Sequence, residues 1–207
     1  AARSHVDEYV RYRALVLLSG IDTGAMTRVA ADLLADPNDR VRTVVYQWFE
    51  RHPRPEMTTR LIEALESCSR RVGGGAEVDP ADIRNFARVL RQYADELHRE
   101  KEEHVLLPFL VRQGFDWDAP PLVQVREEHS HERDLIAALH HAGARIERWT
   151  EDERRHVAAV TSALCELQRR HHQTENDQLF PVVAERLDAD AQRRLQRELD
   201  RFDQIPA

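Results

Sequence analysis

His98-Arg-Glu-Lys-Glu102-Glu-His-Val-Leu-Leu-Pro108 and His171-His-Gln-Thr-Glu175-Asn-Asp-Gln-Leu-Phe-Pro181 are the two stretches from which the rest of this 207-residue chain can be read. Each sets a His four residues before a Glu, a Leu four residues after that Glu and a Pro six residues after it. On a helix, an i,i+4 spacing stacks two side chains on one face about a turn apart. Two donors converging from a rigid element are what a metal ion requires. A proline inside a helix removes a hydrogen bond, so finding it twice at one offset points to an approximate two-fold relation between two helical hairpins.

Working outward, both pairs continue apolar stripes. His98 and Glu102 follow Leu90, Ala94 and Leu97, and His171 and Glu175 follow Val160, Leu164 and Leu167, with Leu179 resuming the line. A carboxylate on a core-facing stripe is costly unless it is paired, protonated or bound to metal. His129 lies one turn after Val125 and seven residues before Ile136, which puts a further imidazole on a core face. A single His-x-x-x-Glu is usually a surface pair worth a few tenths of a kcal/mol, roughly. The duplication, the shared tail and the extra core His carry the metal reading beyond that. Nitrogen and oxygen donors favour iron or manganese over thiolate-bound zinc. The other histidines, His104, His131, His140, His141, His156 and His172, sit mostly on polar faces and are expected to be solvated.

The remaining pattern is helical throughout. Helices are expected over about 6–18, ended by Ser19-Gly20, then 24–34 and 41–50, the last carrying Val44, Val45, Trp48 and Phe49. From Glu56, the residues Met57, Leu61, Ala64, Leu65 and Cys68 mark one face up to Gly73-Gly74-Gly75. Asp79-Pro80 opens the next helix with a cap and a first-turn proline, and Ile83, Phe86, Leu90, Tyr93, Ala94 and Leu97 give its buried face to about Val111. Another helix is expected over 121–142. Thr150-Glu-Asp-Glu153 is a capping box that starts a helix running to about Leu187. A closing helix over 190–202 carries Ala191, Leu195, Leu199 and Phe202 on one side. No stretch alternates as a strand does. The expected fold is all-α: an antiparallel four-helix bundle over residues 53–207, with its short C-terminal helix, preceded by an N-terminal helical extension over 1–52.

Composition narrows the function. Hydrophobic residues make up 42% and charged residues 32%, which suits a charged-surface globular protein. The net charge of -7, with charges of both signs interspersed, speaks against nucleic acid as a partner, because phosphate binding needs clustered positive charge. No apolar run approaches the roughly 20 residues needed to span a bilayer, so no membrane association is expected. The two cysteines, Cys68 and Cys165, lack zinc-ribbon spacing and read as buried thiols in a reducing compartment. With no leader pattern, the cytoplasm is the expected location.

These motifs resemble those of hemerythrin-like (HHE cation-binding) domains: His98-x-x-x-Glu102 with Leu-Leu-Pro, Glu128-His129, and His171-x-x-x-Glu175-Asn with Leu-Phe-Pro, over about residues 56–187. The resemblance implies a four-helix bundle around a non-heme di-iron (Fe) pair, with Mn or Zn less favoured, Glu residues bridging the metals and His residues capping them. It implies binding, sensing or reduction of oxygen, peroxide or another small molecule; the alternative is a di-iron oxidase or peroxidase acting on a small organic substrate. The family's early His on the first bundle helix would fall near Pro55. His52 is carried as its replacement, with Glu56, His5 or solvent as alternatives. The second His of the oxygen carriers is Arg133 here, which departs from that subgroup. A purely structural polar network is the remaining reading, and oligomeric state is left open.

Overall fold

Side-chain caps start most of the helices. The computed structural model describes residues 5–34, 36–52, 58–76, 78–92, 99–145 and 147–202, and among them every regular element is helical and none is a strand. Helix α1 (Glu8–Ile21) opens on Asp7, whose carboxylate accepts the Tyr9 N–H. Asp22 does the same for Ala25 at the start of α2 (Thr23–Asp32), and Asn38 for Val41 at the start of α3 (Asp39–Arg51). After α4 (Thr58–Gly73), Asp79 and Pro80 open α5 (Pro80–Leu90) as the sequence indicates. One boundary differs from expectation. Ser19-Gly20 does not end α1, which continues to Ile21; the stop comes from Asp22, whose extended backbone and capping side chain commit it to the next helix.

The second half comprises α6 (Leu107–Arg112), α7 (Leu122–Gly143), α8 (Glu151–Thr174), α9 (Phe180–Arg186) and α10 (Ala189–Phe202). Gly114 closes α6 at φ +86, a left-handed conformation that glycine adopts without a Cβ clash. The box at the start of α8 forms: Thr150 N–H donates to Glu153 Oε2 at 2.7 Å and Glu153 N–H to Thr150 Oγ1 at 3.3 Å.

The duplicated tails have a structural consequence that their spacing did not disclose. Glu102–Leu106 and Glu175–Leu179 are each one π-helical turn. Leu107 N–H bonds to Glu102 O and Phe180 N–H to Glu175 O, five residues back instead of four. Pro108 and Pro181 follow immediately. Each lacks an N–H, and its ring would crowd the carbonyl four residues earlier; a turn widened by one residue keeps the path helical. The helices expected to run unbroken to about 111 and 187 are thus interrupted at the two glutamates.

The chain divides into two compact units, residues 1–93 with 135–165, and 94–134 with 166–207; α7 and α8 contribute to both. In the first, α1 packs on α2 and α3, α2 on α3, and α3 on α5. Leu61, Ala64, Leu65 and Cys68 of α4 and Ile83, Phe86 and Leu90 of α5 are buried, as their spacing predicts; Met57, Tyr93, Ala94 and Leu97 lie outside the described residues. A buried ion pair joins Arg42 Nε of α3 to Asp82 Oδ2 of α5 at 2.8 Å, and Arg42 Nη1 also donates to Asp36 O. In the second unit, Val105, Leu106, Leu107, Phe109, Leu110, Val125 and Leu179 form a core with Ala191 and Leu195 of α10, against which Leu199 and Phe202 pack. This core holds both π turns in place. Among the described residues, no helix is long and apolar enough to cross a membrane.

Candidate metal centre

Three expected ligands meet in the second unit. Glu102 at the head of the first π turn, His129 in the middle of α7 and His171 near the end of α8 are buried, and each offers a donor atom within 4.8 Å of the others. Glu175, at the head of the second π turn, joins them: its Oε1 lies 3.3 Å from His171 Nε2. The two imidazole rings lie 4.9 Å apart between centroids, tilted by 62°. His98 lies outside the described residues. His52 belongs to the first unit, where it caps the end of α3 with its ring stacked on Trp48 at 3.8 Å between centroids. Pro55 and Glu56 are likewise outside the described residues, and exposed His5 accepts from the Asp7 N–H. His104, His131, His140, His141 and His156 are exposed, as expected of solvated histidines, and His172 is half-buried.

A second layer, which the sequence reading left unassigned, fixes how the imidazoles face. His129 Nδ1 lies 2.9 Å from Glu103 Oε1, and the same oxygen accepts from Arg133 Nη1 at 2.8 Å. Burial works to raise the Glu103 pKa, but the Arg133 guanidinium and His129 outweigh it and hold the carboxyl below its usual range. An ionised carboxylate only accepts, so the His129 Nδ1 carries the hydrogen. Burial, aided by the nearby His171 and Arg99, depresses His129 to about 3 and keeps the ring neutral. Its Nε2 therefore presents a bare lone pair, 3.1 Å from Glu102 Oε2 and with no aligned hydrogen bond. Two acceptor atoms at that distance repel unless a proton or a cation lies between them.

His171 repeats the device. Its Nδ1 lies 3.2 Å from Glu128 Oε2, while Nε2 faces Glu175 and, at 4.0 Å, Glu102. Glu128 is itself held by Thr174 at 3.3 Å, Gln124 at 3.3 Å and Arg170 at 3.2 Å. Burial pushes the His171 pKa down, but Glu175 and Glu128 outweigh it and the net shift is upward. Outer carboxylates that hold Nδ1 and turn Nε2 inward are the usual support of metal-bound histidines.

The charge balance agrees. Glu102, Glu128, Glu132 and Glu175 are all at most 5% exposed, against one buried guanidinium, Arg99, which pairs with Glu132 at 2.6 Å; Gln168 also donates to Glu132. An uncompensated buried charge is expensive. Burial, together with the close approach and like charge of Glu175, pushes the Glu102 carboxyl well above its ordinary value, so a bare charge there is disfavoured. The donor set of two imidazole nitrogens and two carboxylates fits a metal ion that would displace the protons held there. No family model, curated protein or solved structure matches this chain.

Proposed function

We propose that this chain is a hemerythrin-like protein, an antiparallel four-helix bundle that holds a non-heme di-iron pair and binds, senses or reduces oxygen or oxygen-derived species. The observation that carries the reading is the matched orientation of His129 and His171, each with Nδ1 on an outer carboxylate and Nε2 turned toward the Glu102–Glu175 pair. The two glutamates stand at equivalent points of two π turns, which suits residues that share or bridge metals. His98 belongs to the proposal through its spacing from Glu102. Iron is favoured because the donors are nitrogen and oxygen; Cys68 and Cys165 belong to the first unit.

Iron bound there would supply an open coordination position for small oxygen-derived ligands and an electron to exchange with them. The chain's own part is to hold His129 neutral and both imidazoles correctly turned, to keep the carboxylates out of water, and to place the positive charge of Arg99 on Glu132. Arg133, where oxygen carriers have a second His, serves Glu103 instead. The reading is therefore of a relative of the carriers with altered reactivity.

The test is metal analysis and absorption spectroscopy of aerobically reconstituted protein. About two irons per chain with a near-ultraviolet charge-transfer band is expected. Less than one iron per chain, or unchanged iron content in His171→Ala and Glu175→Ala, refutes the proposal. Sustained peroxide consumption would shift the reading to the oxidase or peroxidase alternative.

A further inference from the structure

On the outer side of Glu103 lies an open cleft of about 510 Å³, lined by Glu103, His104, Trp117, Val123, Arg126, Glu127, Ser130 and Arg133. All its walls come from the second unit. Its chemistry is uneven. The donors are two guanidiniums, a hydroxyl and an imidazole, while the larger apolar surface is Trp117, 36% exposed, with Arg126 stacked at 3.9 Å from the ring centroid. Arg126 is anchored by donating to Trp117 O at 3.1 Å, so the cation and the indole form one preorganised wall. Of the two lining carboxylates, Glu103 is already committed to His129 and Arg133 through a single oxygen.

That commitment makes the cleft more than a surface dent. Glu103 is 28% exposed at its side chain, whereas the imidazole it holds is 1% exposed. One carboxylate therefore separates the open cleft from a buried ring. Arg133, 42% exposed, is the cation that any incoming anion would meet beside it.

We propose that the cleft is a binding site for a small organic anion, a carboxylate carried on an apolar body. Its carboxylate takes over Arg133 from Glu103 and its body lies against Trp117 and Val123. A guanidinium fork matches a carboxylate better than it matches a compact, strongly hydrated anion. Occupancy leaves Glu103 to His129 alone, so the site reports to the buried imidazole without touching it. Any resulting change in metal affinity rests on the metal centre proposed above; the anion site does not.

Calorimetric titration of the full-length, metal-free protein with benzoate tests it, with acetate and cyclohexylammonium as comparison probes. Benzoate is expected to bind one per chain and more tightly than acetate, and Arg133→Gln to weaken it by at least about tenfold, the scale of a lost charge-assisted hydrogen bond. Glu103→Gln removes the competing carboxylate and is expected to strengthen binding, provided melting curves show the fold intact. Arg126→Gln is the second loss-of-binding variant should Glu103→Gln misfold. Equal binding of acetate and benzoate overturns the apolar contact. Benzoate affinity indifferent to both arginines, or preference for cyclohexylammonium, overturns the site. Because the titration uses no metal, its failure and the failure of the metal centre are separate results.

Discussion

Glu128→Gln is the substitution that separates an outer support from a ligand. Glu128 Oε2 accepts from His171 Nδ1 at 3.2 Å, and its Oε1 lies among Thr174 Oγ1, Gln124 Nε2 and Arg170 Nε at 3.2–3.3 Å. Glutamine keeps the shape but has one acceptor end. Facing that end to three donors satisfies more of the network than facing it to one, so its NH2 falls opposite His171 Nδ1–H. Two donors cannot share that contact, and His171 is expected to move its hydrogen to Nε2, where Glu175 Oε1 waits at 3.3 Å. The lone pair needed for a metal is then gone. Loss of such an outer partner costs ten- to a hundredfold in metal affinity, about 1.4–2.7 kcal/mol. Metal-free stability should change by about 1 kcal/mol or less, because one fewer buried carboxylate offsets the weakened hydrogen bonds. Competition against a chromophoric chelator gives the first number, thermal melting of the metal-free protein the second, and nitrogen-15 NMR of the imidazole the tautomer. A flipped tautomer with unchanged metal affinity refutes the reasoning; so does an equal loss in affinity and metal-free stability.

Three further outcomes follow from other parts of the fold. In the first unit, Arg42→Met leaves Asp82 buried opposite an apolar group and should destabilise by about 3–5 kcal/mol, whereas adding Asp82→Leu should restore most of that; denaturant titration of the cycle reads it, and additive losses would deny the pairing. Pro181→Ala restores the missing N–H and relieves the pressure for a widened turn; melting temperature should hold or rise while metal affinity falls, and unchanged affinity would mean that the π turn does not set the position of Glu175. Burial raises the Cys68 thiol to about 11, so it stays protonated at pH 8, and Cys165 is buried as well. An aromatic disulfide reagent should detect no fast thiol in the folded protein and both after denaturation; a fast native thiol would contradict the packing of α4.

What could be read in the sequence was what lies on one helix. The i,i+4 spacing of His171 and Glu175 and the stripe position of His129 need only helical periodicity, and the caps at Asp7, Asp22, Asn38, Asp79 and Thr150 are local by nature. Glu132 and Gln168 were legible in principle, since each lies three residues from a core histidine on the same face. Glu103 was not. It follows Glu102 directly, and two consecutive residues on an ordinary helix point about 100° apart, so the second reads as a solvent-facing charge. Here they close on one imidazole from both sides, Glu102 at Nε2 and Glu103 at Nδ1. Arg42 and Asp82 stand forty residues apart, and no local pattern announces their pairing. His52 was placed by counting from a motif across two prolines, and within its own unit its ring stacks on Trp48, one helical turn away.

The arrangement of cations around the cluster gives the reason to look for a metal and not for an ordinary polar network. Arg99 is held by Glu132, Arg133 by Glu103 and Arg170 by Glu128. Each of these guanidiniums thus meets an outer carboxylate, while Glu102 faces His129 at 3.1 Å and Glu175 faces His171 at 3.3 Å. A network built for stability would do the reverse, since a guanidinium between Glu102 and Glu175 would satisfy both at once. With those three cations on outer carboxylates, Glu102 and Glu175 face the two imidazole Nε2 atoms. A proton can be shared there only by one pair at a time, whereas a cation with several coordination positions is attracted by all four.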